Sequence, residues 1–452
     1  MENVEIFELL YQLLKEKKYR DFRKEIIEIP EVDIAQFIEE LEDEQTLVAF
    51  RTLPKDIASD VFSFLNTDTQ QFIVNAITDK ELKVIIDDLF IDDVVDMLDE
   101  APAIVVKRVL QNASVETRNL INQFLKFEEG TAGSIMTAEF LDLKKTMTVE
   151  EAIKRIRRIC KDKETTYTCY VLDKNRLLLG SISLNTILMA KDDDIIEDLM
   201  DTNVIATTTN EDKEEVARLF SKYDLFALPV VDKENRLVGI VTIDDAVDVI
   251  EEEATEDFEK MAGMLPSEDP YLDTSTFTLF KNRIVWLIVL MLSAMVTGGL
   301  LGYYEEQISA IPLLVTFVPM LNGTGGNCGN QSSTMIIRGL TTGDITTKDW
   351  LKIWWKEFRV SLLVSLVLVA FNFIRIVFFV DIPDTNNLYV ASAVCGALFA
   401  TIVLAKSIGA LLPIVAKKLK LDPAVMAAPI ITTLVDAASI VIYFVFVTNF
   451  VF

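Results

Sequence analysis

The spacing of hydrophobic positions predicts repeated short helices in the first part of the chain. Within residues 1–130 apolar residues recur about every 12 positions, as in the column Val61, Ile73, Ile85, Met97, Val109 and Ile121. Asp, Pro, Thr or Ser stand near the joints between these units. No heptad persists, so the repeat predicts a small α-helical solenoid and not a coiled coil.

A weaker duplication follows in residues 136–258. The segment DKNRLLLGSIS at 173–183 is echoed by DKENRLVGIVT at 232–242, and an apolar β-type run precedes each. Helical patterns at 149–159 and 213–220 come before these runs. The order strand, turn, strand and helix, found twice, predicts two paired α/β modules.

The last part of the chain is apolar enough to cross a lipid bilayer. A span of about 30 Å needs roughly 20 helical residues. Five stretches reach this length, near 284–304, 311–336, 358–380, 389–414 and 424–450. The pattern therefore predicts a five-helix α-helical transmembrane domain.

Charges in the connecting segments predict the orientation of these spans. Lys281 and Arg283 precede span one, and Lys417 and Lys418 follow span four, whereas acids such as Glu305 occupy the alternate segments. Basic segments remain on the cytoplasmic side. The chain is thus predicted to be a multi-pass protein of the cell (plasma or inner) membrane, with a cytoplasmic amino terminus and an extracytoplasmic carboxyl terminus.

Composition sharpens this division. The 452 residues include 70 acids, 43 bases and no histidine. Residues 1–280 hold 61 of the acids and 31 of the bases, whereas residues 281–452 hold 9 and 12. An acidic front part argues against nucleic acid as a partner and points towards cations.

The missing residue types exclude several kinds of site. Without histidine there is neither a His-dependent catalytic triad nor a His-ligated zinc or iron site. Cys160, Cys169, Cys328 and Cys395 form no CxxC pair, so neither a disulfide framework nor a thiolate metal site is indicated.

Span two carries an unusual run of small and amide residues, NGTGGNCGNQSST at 322–334. Their polar groups would be unsatisfied against lipid, so this segment must face protein or water. Close helix packing through small residues is one explanation. Several amides in one short stretch favour a wet pathway, for which the pore-lining candidates are Asn322, Asn327, Asn330, Gln331 and Thr433.

Span five contains Asp436, the one acid inside the predicted spans. An ionised carboxylate in the membrane costs several kcal/mol unless it has a partner. Asp436 is either a protonated acid bonded to a neighbouring helix or a carboxylate of an ion pathway. Pro429 is expected to bend the helix and free carbonyls near Thr432. Asp422 is either a second ion station or a helix-start residue.

Acidic pairs occur at helical spacing in the front part and in the segment 243–260. A solvated helix face is one explanation, and a set of carboxylate surfaces that bind a cation is the other. Residues of a pair share one helix face, and the pairs are Asp92 with Asp96, Asp245 with Asp248, and Glu253 with Asp257.

Elementary electrostatics suggests a switch. Two carboxylates about 5 Å apart repel by roughly 3 kcal/mol at an effective dielectric constant of 20. A divalent cation between them reverses the sign of the interaction. Oxygen ligands without histidine or thiolate select a hard ion such as Mg²⁺, Ca²⁺ or Mn²⁺.

These features together resemble the MgtE family of magnesium channels. The resemblance rests on TAGSIMT at 131–137, GGNCGNQ at 325–331 and LVD at 434–436, in the same domain order, and covers essentially the whole chain. It implies a multidomain protein with these parts: 1–130, an acidic helical-repeat domain; 131–200 and 201–245, tandem CBS modules; 246–280, an acidic connecting (plug) helix and linker; and 281–452, the transmembrane domain.

The resemblance also implies function. It suggests a homodimer, not an enzyme, whose pore passes Mg²⁺ down its gradient and closes when cytosolic Mg²⁺ is high. By similarity the pore residues that meet the metal are Asp436, Asp422 and Thr432. The regulatory ligands implied are Asp92, Asp96, Asp224, Asp245, Asp248, Glu253, Glu256 and Asp257.

Some members of the family bind ATP in the CBS cleft. Thr242 and Asp245 of the second module are the nucleotide candidates, whereas the first module has Asn185 in place of an acid. At most one ATP per chain is expected, as a regulator and not a fuel, since no Walker loop is present.

Two other functions compete with this hypothesis. An ion-coupled secondary transporter of Mg²⁺, Co²⁺ or Mn²⁺ would use Asp436 as its titrating site. A membrane enzyme regulated by CBS modules lacks a nucleophile and base in the spans. The gated Mg²⁺ channel is the preferred hypothesis.

Overall fold

The computed structural model describes residues 2–99, 101–267, 271–272, 274–380, 386–426 and 428–451. The chain divides into two compact units, Met1–Ile250 and Glu251–Phe452.

Short helices fill the first part of the first unit. From α3 to α10 they begin at residues 31, 43, 55, 67, 79, 91, 103 and 115, so each starts 12 residues after the last. The helices in the described residues between 2 and 124 are α1 (Glu2–Lys15), α2 (Tyr19–Ile26), α3 (Glu31–Glu39), α4 (Asp43–Thr52), α5 (Lys55–Ser63), α6 (Thr67–Ala76), α7 (Asp79–Asp88), α8 (Ile91–Asp99), α9 (Ala103–Asn112) and α10 (Val115–Phe124).

The residues at the joints explain this regularity. Asn66, Thr78 and Ser114 each cap the following helix with a side-chain oxygen that accepts a backbone N–H. Every member of the predicted apolar column from Val61 to Ile121 is buried. Alternate helices pack on each other, α3 on α5, α5 on α7 and α7 on α9. The 12-residue helical repeat is confirmed, and the superhelical solenoid stays a prediction.

Two small sheets follow. In each, the first strand runs parallel to the second and the second runs antiparallel to the third. The predicted hairpins are confirmed, and the parallel strands β1 and β4 were not predicted. The strands are β1 (Leu141–Lys144), β2 (Thr168–Leu172) and β3 (Leu178–Ser183) in one sheet, and β4 (Thr207–Thr208), β5 (Ala227–Val231) and β6 (Leu237–Thr242) in the other.

Helices flank these strands and the two modules share a core. Leu178 N–H donates to the carbonyl of Asn235, and Leu237 N–H donates to the carbonyl of Arg176, which joins the two hairpins. The ring of Tyr170 is buried in the apolar cluster between them. The helices are α11 (Val149–Ile159), α12 (Leu184–Met189), α13 (Ile196–Leu199), α14 (Lys213–Tyr223) and α15 (Ile243–Met261).

Helix α15 begins at Ile243, three residues before the predicted start of the connecting helix at 246. The boundary between the two compact units falls inside this helix, after Ile250. Asp245 near its start therefore belongs to the first unit, and Lys260 near its end belongs to the second.

The second unit is built from long helices. Among the described residues four of them, α16, α19 with its preceding turn, α20 and α21, are long and apolar enough to cross a membrane. The helices after α15 are α16 (Thr276–Tyr303), α17 (Glu305–Ala310), α18 (Val318–Thr341), α19 (Trp350–Phe379), α20 (Asn387–Lys418) and α21 (Ala428–Phe450).

Helix α18 corresponds to the predicted span two and is different in character. It has 24 residues, enough to cross a bilayer, but its amides lower its apolarity. It packs against α20 and α21, and α19 packs against α20. Five membrane spans therefore remain a prediction, with four of the helices apolar and one polar.

Pro429 does not bend span five, contrary to the sequence prediction. Helix α21 begins at Ala428, so Pro429 lies in its first turn, where a missing backbone N–H removes no helical hydrogen bond. A separate 3₁₀ turn, Ala424–Met426, precedes it. Asp436 consequently lies about 12 Å along the helix, at 1.5 Å per residue.

Candidate ion pathway and regulatory carboxylates

One face of α18 carries a row of exposed polar or small residues. Gly323, Asn327, Gln331, Thr334 and Arg338 are all exposed and follow each other at intervals of three or four residues, so they share one side of the helix. Amides on such a face require water or protein against them, because lipid offers no hydrogen bonds. This polar face contains two of the four amide residues predicted to line a pore.

The other two predicted amides turn towards α21. Asn330 Nδ2 donates to Thr432 Oγ1 at 3.4 Å, and Ser439 Oγ donates to Asn322 Oδ1 at 2.5 Å. Between these two bonds Gly325 lies against Val435, where a Cβ on the glycine would collide with the valine methyl group. Helix α18, which carries the amide segment, and helix α21, which carries the rest of the predicted ion site, therefore pack directly against each other.

Asp436 lies on α21 between Thr432 and Ser439. Its Oδ1 is buried and, in the described part of the chain, has no hydrogen-bond partner. Its main-chain carbonyl accepts a bond from Ser439 Oγ at 2.9 Å. A buried carboxylate oxygen without a partner is costly, and a proton or a hard cation would satisfy it. Thr433 is engaged within its own helix, where its hydroxyl donates to Pro429 O at 2.9 Å.

Asp422 acts at a helix start and in an ion pair. Its Oδ1 accepts from the backbone N–H of Ala424 at 2.8 Å, and its Oδ2 lies 2.7 Å from Lys260 Nζ. Lys260 also pairs with Glu256. Burial lowers the pKa of Lys260, but the bonds from Asp422 and Glu256 outweigh it and raise that pKa above its ordinary value. One ammonium therefore joins two residues predicted to be metal ligands.

The end of α15 also contacts α18 and α21 within the second unit. Thr341 Oγ1 donates to Asp257 Oδ2 at 3.4 Å. Gly263 adopts φ +74° directly after the helix, and a Cβ there would collide with the ring of Pro429. Glu253, the remaining acid predicted for this stretch, is half-buried. The end of α15 therefore lies against the end of α18 and the start of α21.

In the first unit, acids from separate segments converge. Asp92 on α8 is 9% exposed. Burial, and then repulsion from Asp93 and Asp245, raise the pKa of Asp92 well above its ordinary value. Glu139 and Glu164 act on it in the same direction. We call Asp92, Asp93, Glu139, Glu164 and Asp245 the cytosolic carboxylate cluster.

The other members of the cluster are shifted as well. Burial and repulsion from Asp245 raise the pKa of Asp93 to about 7, and burial and repulsion from Asp244 raise that of Glu164 to about 8. Burial raises the pKa of Asp245 to about 6, although a bond from the Thr242 hydroxyl opposes it. At neutral pH these groups therefore hold some protons in the absence of a cation.

The cluster supplies the hard oxygen donors that Mg²⁺ prefers, and Glu164 Oε2 is buried without a hydrogen-bond partner within the described residues. However, no group of three acids, cysteines or histidines among the residues described is arranged to hold a metal ion. The cluster gathers negative charge without forming a finished coordination shell.

Three residues predicted as regulatory ligands are exposed, although Asp248 lies close enough to raise the pKa of Asp245. Asp96, one turn after Asp92, is exposed, as is Asp248. Asp224 is exposed and ends α14 in the left-handed conformation at φ +51°. Glu139 and Glu164 were not predicted, because they lie outside any acidic run and only the fold brings them to Asp92.

The nucleotide candidates bind each other. Thr242 Oγ1 donates to Asp245 Oδ2 at 2.5 Å, and Asp245 belongs to the carboxylate cluster, where a phosphate without a cation would be repelled. The phenol of Tyr170, in the core between the modules, is buried without a partner in the described residues, and burial raises its pKa.

A further group of polar residues in the second unit was missed. Lys406 Nζ donates to Ser332 Oγ at 3.1 Å, and Ser332 Oγ donates to Glu357 Oε2 at 2.6 Å. Lys406 Nζ and Glu357 Oε2 are 3.5 Å apart. A lysine inside the apolar helix α20 could have indicated this group, since such residues usually have a specific partner.

Comparison with protein families supports the domain order. Residues 318–446 match the MgtE divalent cation transporter model, residues 29–130 match the MgtE intracellular N domain, and residues 132–193 and 196–252 match CBS domains.

Whole-chain relatives agree. The chain is 36% identical over 438 residues to a magnesium transporter MgtE of Thermus thermophilus, covering 96% of both chains. It is 30% identical over 439 residues to a magnesium transporter MgtE of Bacillus subtilis, covering 97% of this chain and 96% of the relative.

Two solved structures resemble the front part. The soluble part of a magnesium transporter is 30% identical with a TM-score of 0.53, covering 56% of this chain and 99% of that one. The cytosolic domain of the Mg²⁺ channel MgtE in complex with ATP is 36% identical with a TM-score of 0.51, covering 53% of this chain and 98% of that one.

Proposed function

The chain belongs to the MgtE family of magnesium transporters, and from this premise we propose that it is a Mg²⁺-selective channel that cytosolic Mg²⁺ closes. Magnesium transport is the activity of this family, whose members are not enzymes. The apolar helices and the family agree with a multi-pass membrane protein.

The observation that carries the proposal is an exposed polar face on α18 together with the unpartnered oxygen of Asp436 on α21, the helix packed against it. Lipid cannot satisfy Asn327 and Gln331 on that face. In a homodimer with twofold symmetry the same face of each copy meets its counterpart. Two such faces would enclose a wet path, so we place the pore between the membrane domains of a homodimer.

The chemistry of the path suits a hydrated Mg²⁺ ion. Mg²⁺ gives up its waters reluctantly and is usually held through one or two carboxylates. Asp436 would supply charge, and Thr432, held by Asn330, would supply a neutral oxygen. Asp422 would bind Mg²⁺ at the cytoplasmic mouth in competition with Lys260. The amino terminus is cytoplasmic and the carboxyl terminus extracytoplasmic in this arrangement.

Gating would depend on the cytosolic carboxylate cluster. Repulsion among its acids opposes their approach until Mg²⁺ neutralises them. Asp92 and Asp245 are its proposed central ligands. Since α15 starts at this cluster and ends beside α18 and α21, it would act as the plug. The further regulatory ligands proposed are Asp96, Asp224, Asp248, Glu253, Glu256 and Asp257.

ATP is proposed as a regulator, because the similar cytosolic domain of the Mg²⁺ channel MgtE was solved in complex with ATP. Thr242 is its candidate contact here. Asp245 would contribute only when Mg²⁺ accompanies the phosphates, since the carboxylate cluster otherwise repels them.

Mg²⁺ uptake into proteoliposomes tests the pore. Replacing Asp436 by Asn should remove uptake, and Glu306→Gln, which changes an exposed acid elsewhere in the same unit, should leave uptake unchanged. Full uptake by Asp436→Asn would refute the pore assignment.

An ion-coupled secondary transporter is the second candidate, favoured by the same buried and unpartnered oxygen, which could exchange protons. Counting the charge moved per Mg²⁺ separates the two functions. A channel moves two charges per ion and follows only the electrochemical gradient of Mg²⁺ itself. A coupled transporter would move fewer net charges and would respond to a pH or Na⁺ gradient.

A further inference from the structure

A polar triad, with two members buried and Glu357 partly buried, joins three helices of the membrane unit. Lys406 on α20 is 4% exposed, and Ser332 on α18 is 1% exposed. Ser332 Oγ lies between Lys406 Nζ, at 3.1 Å, and Glu357 Oε2 on α19, at 2.6 Å. Ser332 is therefore bonded to both members of an ion pair, whose charged atoms are 3.5 Å apart.

The three residues lie at one level of the membrane unit. At 1.5 Å per residue, Ser332 lies about 14 Å before the end of α18 at Thr341, and Glu357 about 10 Å after the start of α19 at Trp350. A short connection joins these two helix ends. A charge pair at such a depth is costly to bury, so packing alone does not account for it.

Where α18 crosses α20, the triad adds directional bonds to a contact between glycine backbones. At its crossing with α20, Gly329 faces Gly409, and a Cβ on Gly409 would collide with the carbonyl oxygen of Gly329. Contacts between glycine backbones are close but lack interlocking side chains that fix a register. Hydrogen bonds to an ion pair are directional and do fix it.

The same helix holds the proposed ion path. Asn330, two residues before Ser332, donates to Thr432 on α21. Residues two positions apart on a helix point about 200° away from each other, so Ser332 holds α18 from a different side than Asn330 does. A shift of Ser332 would therefore move Asn330 relative to Thr432 and Asp436.

We propose that Lys406 is a positioning residue which, with Glu357 and Ser332, holds α18 in the register that makes the ion path selective for Mg²⁺. The proposal rests on the proposed function of α18 and α21 as the path. Mg²⁺ demands nearly ideal octahedral geometry, whereas Ca²⁺ accepts flexible coordination. Loosening α18 should therefore impair Mg²⁺ passage more than Ca²⁺ passage.

The test compares two neighbouring serines in the full-length protein in proteoliposomes. Ser332→Ala removes the triad's link to α18 and leaves the ion pair. Ser333→Ala removes an equally buried hydroxyl that has no hydrogen-bond partner among the described residues. We expect the ratio of Mg²⁺ to Ca²⁺ uptake to fall at least threefold in Ser332→Ala only, with the Mg²⁺ concentration for half-inhibition unchanged.

Charge variants extend the test. Lys406→Met and Glu357→Gln should each lower uptake strongly, because each leaves an uncompensated charge, and the double variant should recover uptake but keep the lowered Mg²⁺ to Ca²⁺ ratio. An unchanged ratio in Ser332→Ala, or an equal change in Ser333→Ala, would overturn the proposal. Absence of Mg²⁺ uptake by the unmodified protein would instead refute the proposed function.

Discussion

The two compact units bury acidic side chains in opposite ways. In the membrane unit the partly buried Glu357 lies beside the ammonium of Lys406, its own fixed counter-charge. In the cytosolic unit Asp92 is buried beside Asp93 and Asp245, which carry the same sign of charge. The first arrangement needs nothing from solution, whereas the second remains unfavourable until a proton or a cation arrives.

This difference distinguishes a permanent scaffold from a conditional contact. A compensated acid holds helices together at any Mg²⁺ concentration. An uncompensated acid stabilises its surroundings only when a mobile cation is available, so its contribution follows the concentration of that cation. Conditional stability is what a sensor of Mg²⁺ requires.

Asp436 is the informative exception in the membrane unit. Its Oδ1 is buried without a hydrogen-bond partner in the described residues, unlike the carboxylate of Glu357. If uncompensated acids mark the places where mobile cations bind, Asp436 should be the place where the transported ion binds.

The largest expected effect is therefore at Asp436. Asp436→Asn should lower Mg²⁺ uptake on the order of 100-fold, equivalent to about 2.7 kcal/mol of lost stabilisation along the path, while the protein still assembles. Uptake measured with a Mg²⁺-sensitive dye in proteoliposomes checks this, and size-exclusion chromatography checks assembly. An uptake loss of less than threefold would break the link between uncompensated acids and mobile cations.

The next effect concerns the cytosolic acids. Replacing Asp245 and Asp248 together by Asn should raise the Mg²⁺ concentration for half-inhibition about tenfold, the equivalent of about 1.4 kcal/mol, because ligand charge is lost. Single-channel recording with varied cytosolic Mg²⁺ measures it. Asp192→Asn and Asp193→Asn, which change exposed acids of the same unit, serve as controls. An inhibition curve that stays the same would exclude a sensing role.

The sequence pointed to some of the uncompensated acids and not to others. Asp92, Asp245 and Asp436 stand out because helical spacing or an apolar background makes each conspicuous. Glu139 and Glu164 join the cluster through turns and strand ends that no local pattern specifies. The 12-residue repeat was predictable because capping residues recur with it, for example Asn66 and Thr78.

The membrane triad escaped prediction for a related reason. Glu357 lies one residue outside the predicted span 358–380, and in the structure α19 begins earlier, at Trp350. A basic residue near a helix end looks like an interfacial anchor, so Lys356 beside it concealed the partly buried Glu357. Pro429 was misjudged because the start of α21 was placed too early.

A smaller effect is expected from pH. The pKa of Asp93 in the folded protein is about 7, above the usual value of 3.8. Between about pH 4 and 7 the folded state therefore binds more protons than the unfolded state. The free energy of unfolding without Mg²⁺ should fall as pH rises through this window, by at most about 1.4 kcal/mol per pH unit for each such group.

Mg²⁺ should replace those protons, so it should raise the melting temperature more at pH 8 than at pH 5.5. Thermal unfolding of the full-length protein in EDTA and in millimolar Mg²⁺ at both pH values measures this. Asp93→Asn should reduce the difference between the two pH values. Equal stabilisation by Mg²⁺ at pH 5.5 and pH 8 would contradict the conditional role of the cluster.

The smallest effect is expected at Lys260, where the two arrangements meet. Its ammonium pairs with Asp422 and Glu256, so these acids are compensated at the end of a helix that begins in the uncompensated cluster. Lys260→Met would leave both acids without their fixed counter-charge. The contact of the end of α15 with α18 and α21 would then depend on Mg²⁺. A partly exposed ion pair contributes about 0.2–1 kcal/mol, so the open fraction at low Mg²⁺ should rise at most about fivefold.

Lys352→Met, which removes an exposed pair with Asp349 in the same unit, is the matched control. Added Mg²⁺ should restore closure in Lys260→Met by binding between Asp422 and Glu256, and channel recording would detect this as a steeper Mg²⁺ dependence. If Lys260→Met instead closes like the unmodified protein at every Mg²⁺ concentration, the ion pair has no part in holding the helix end.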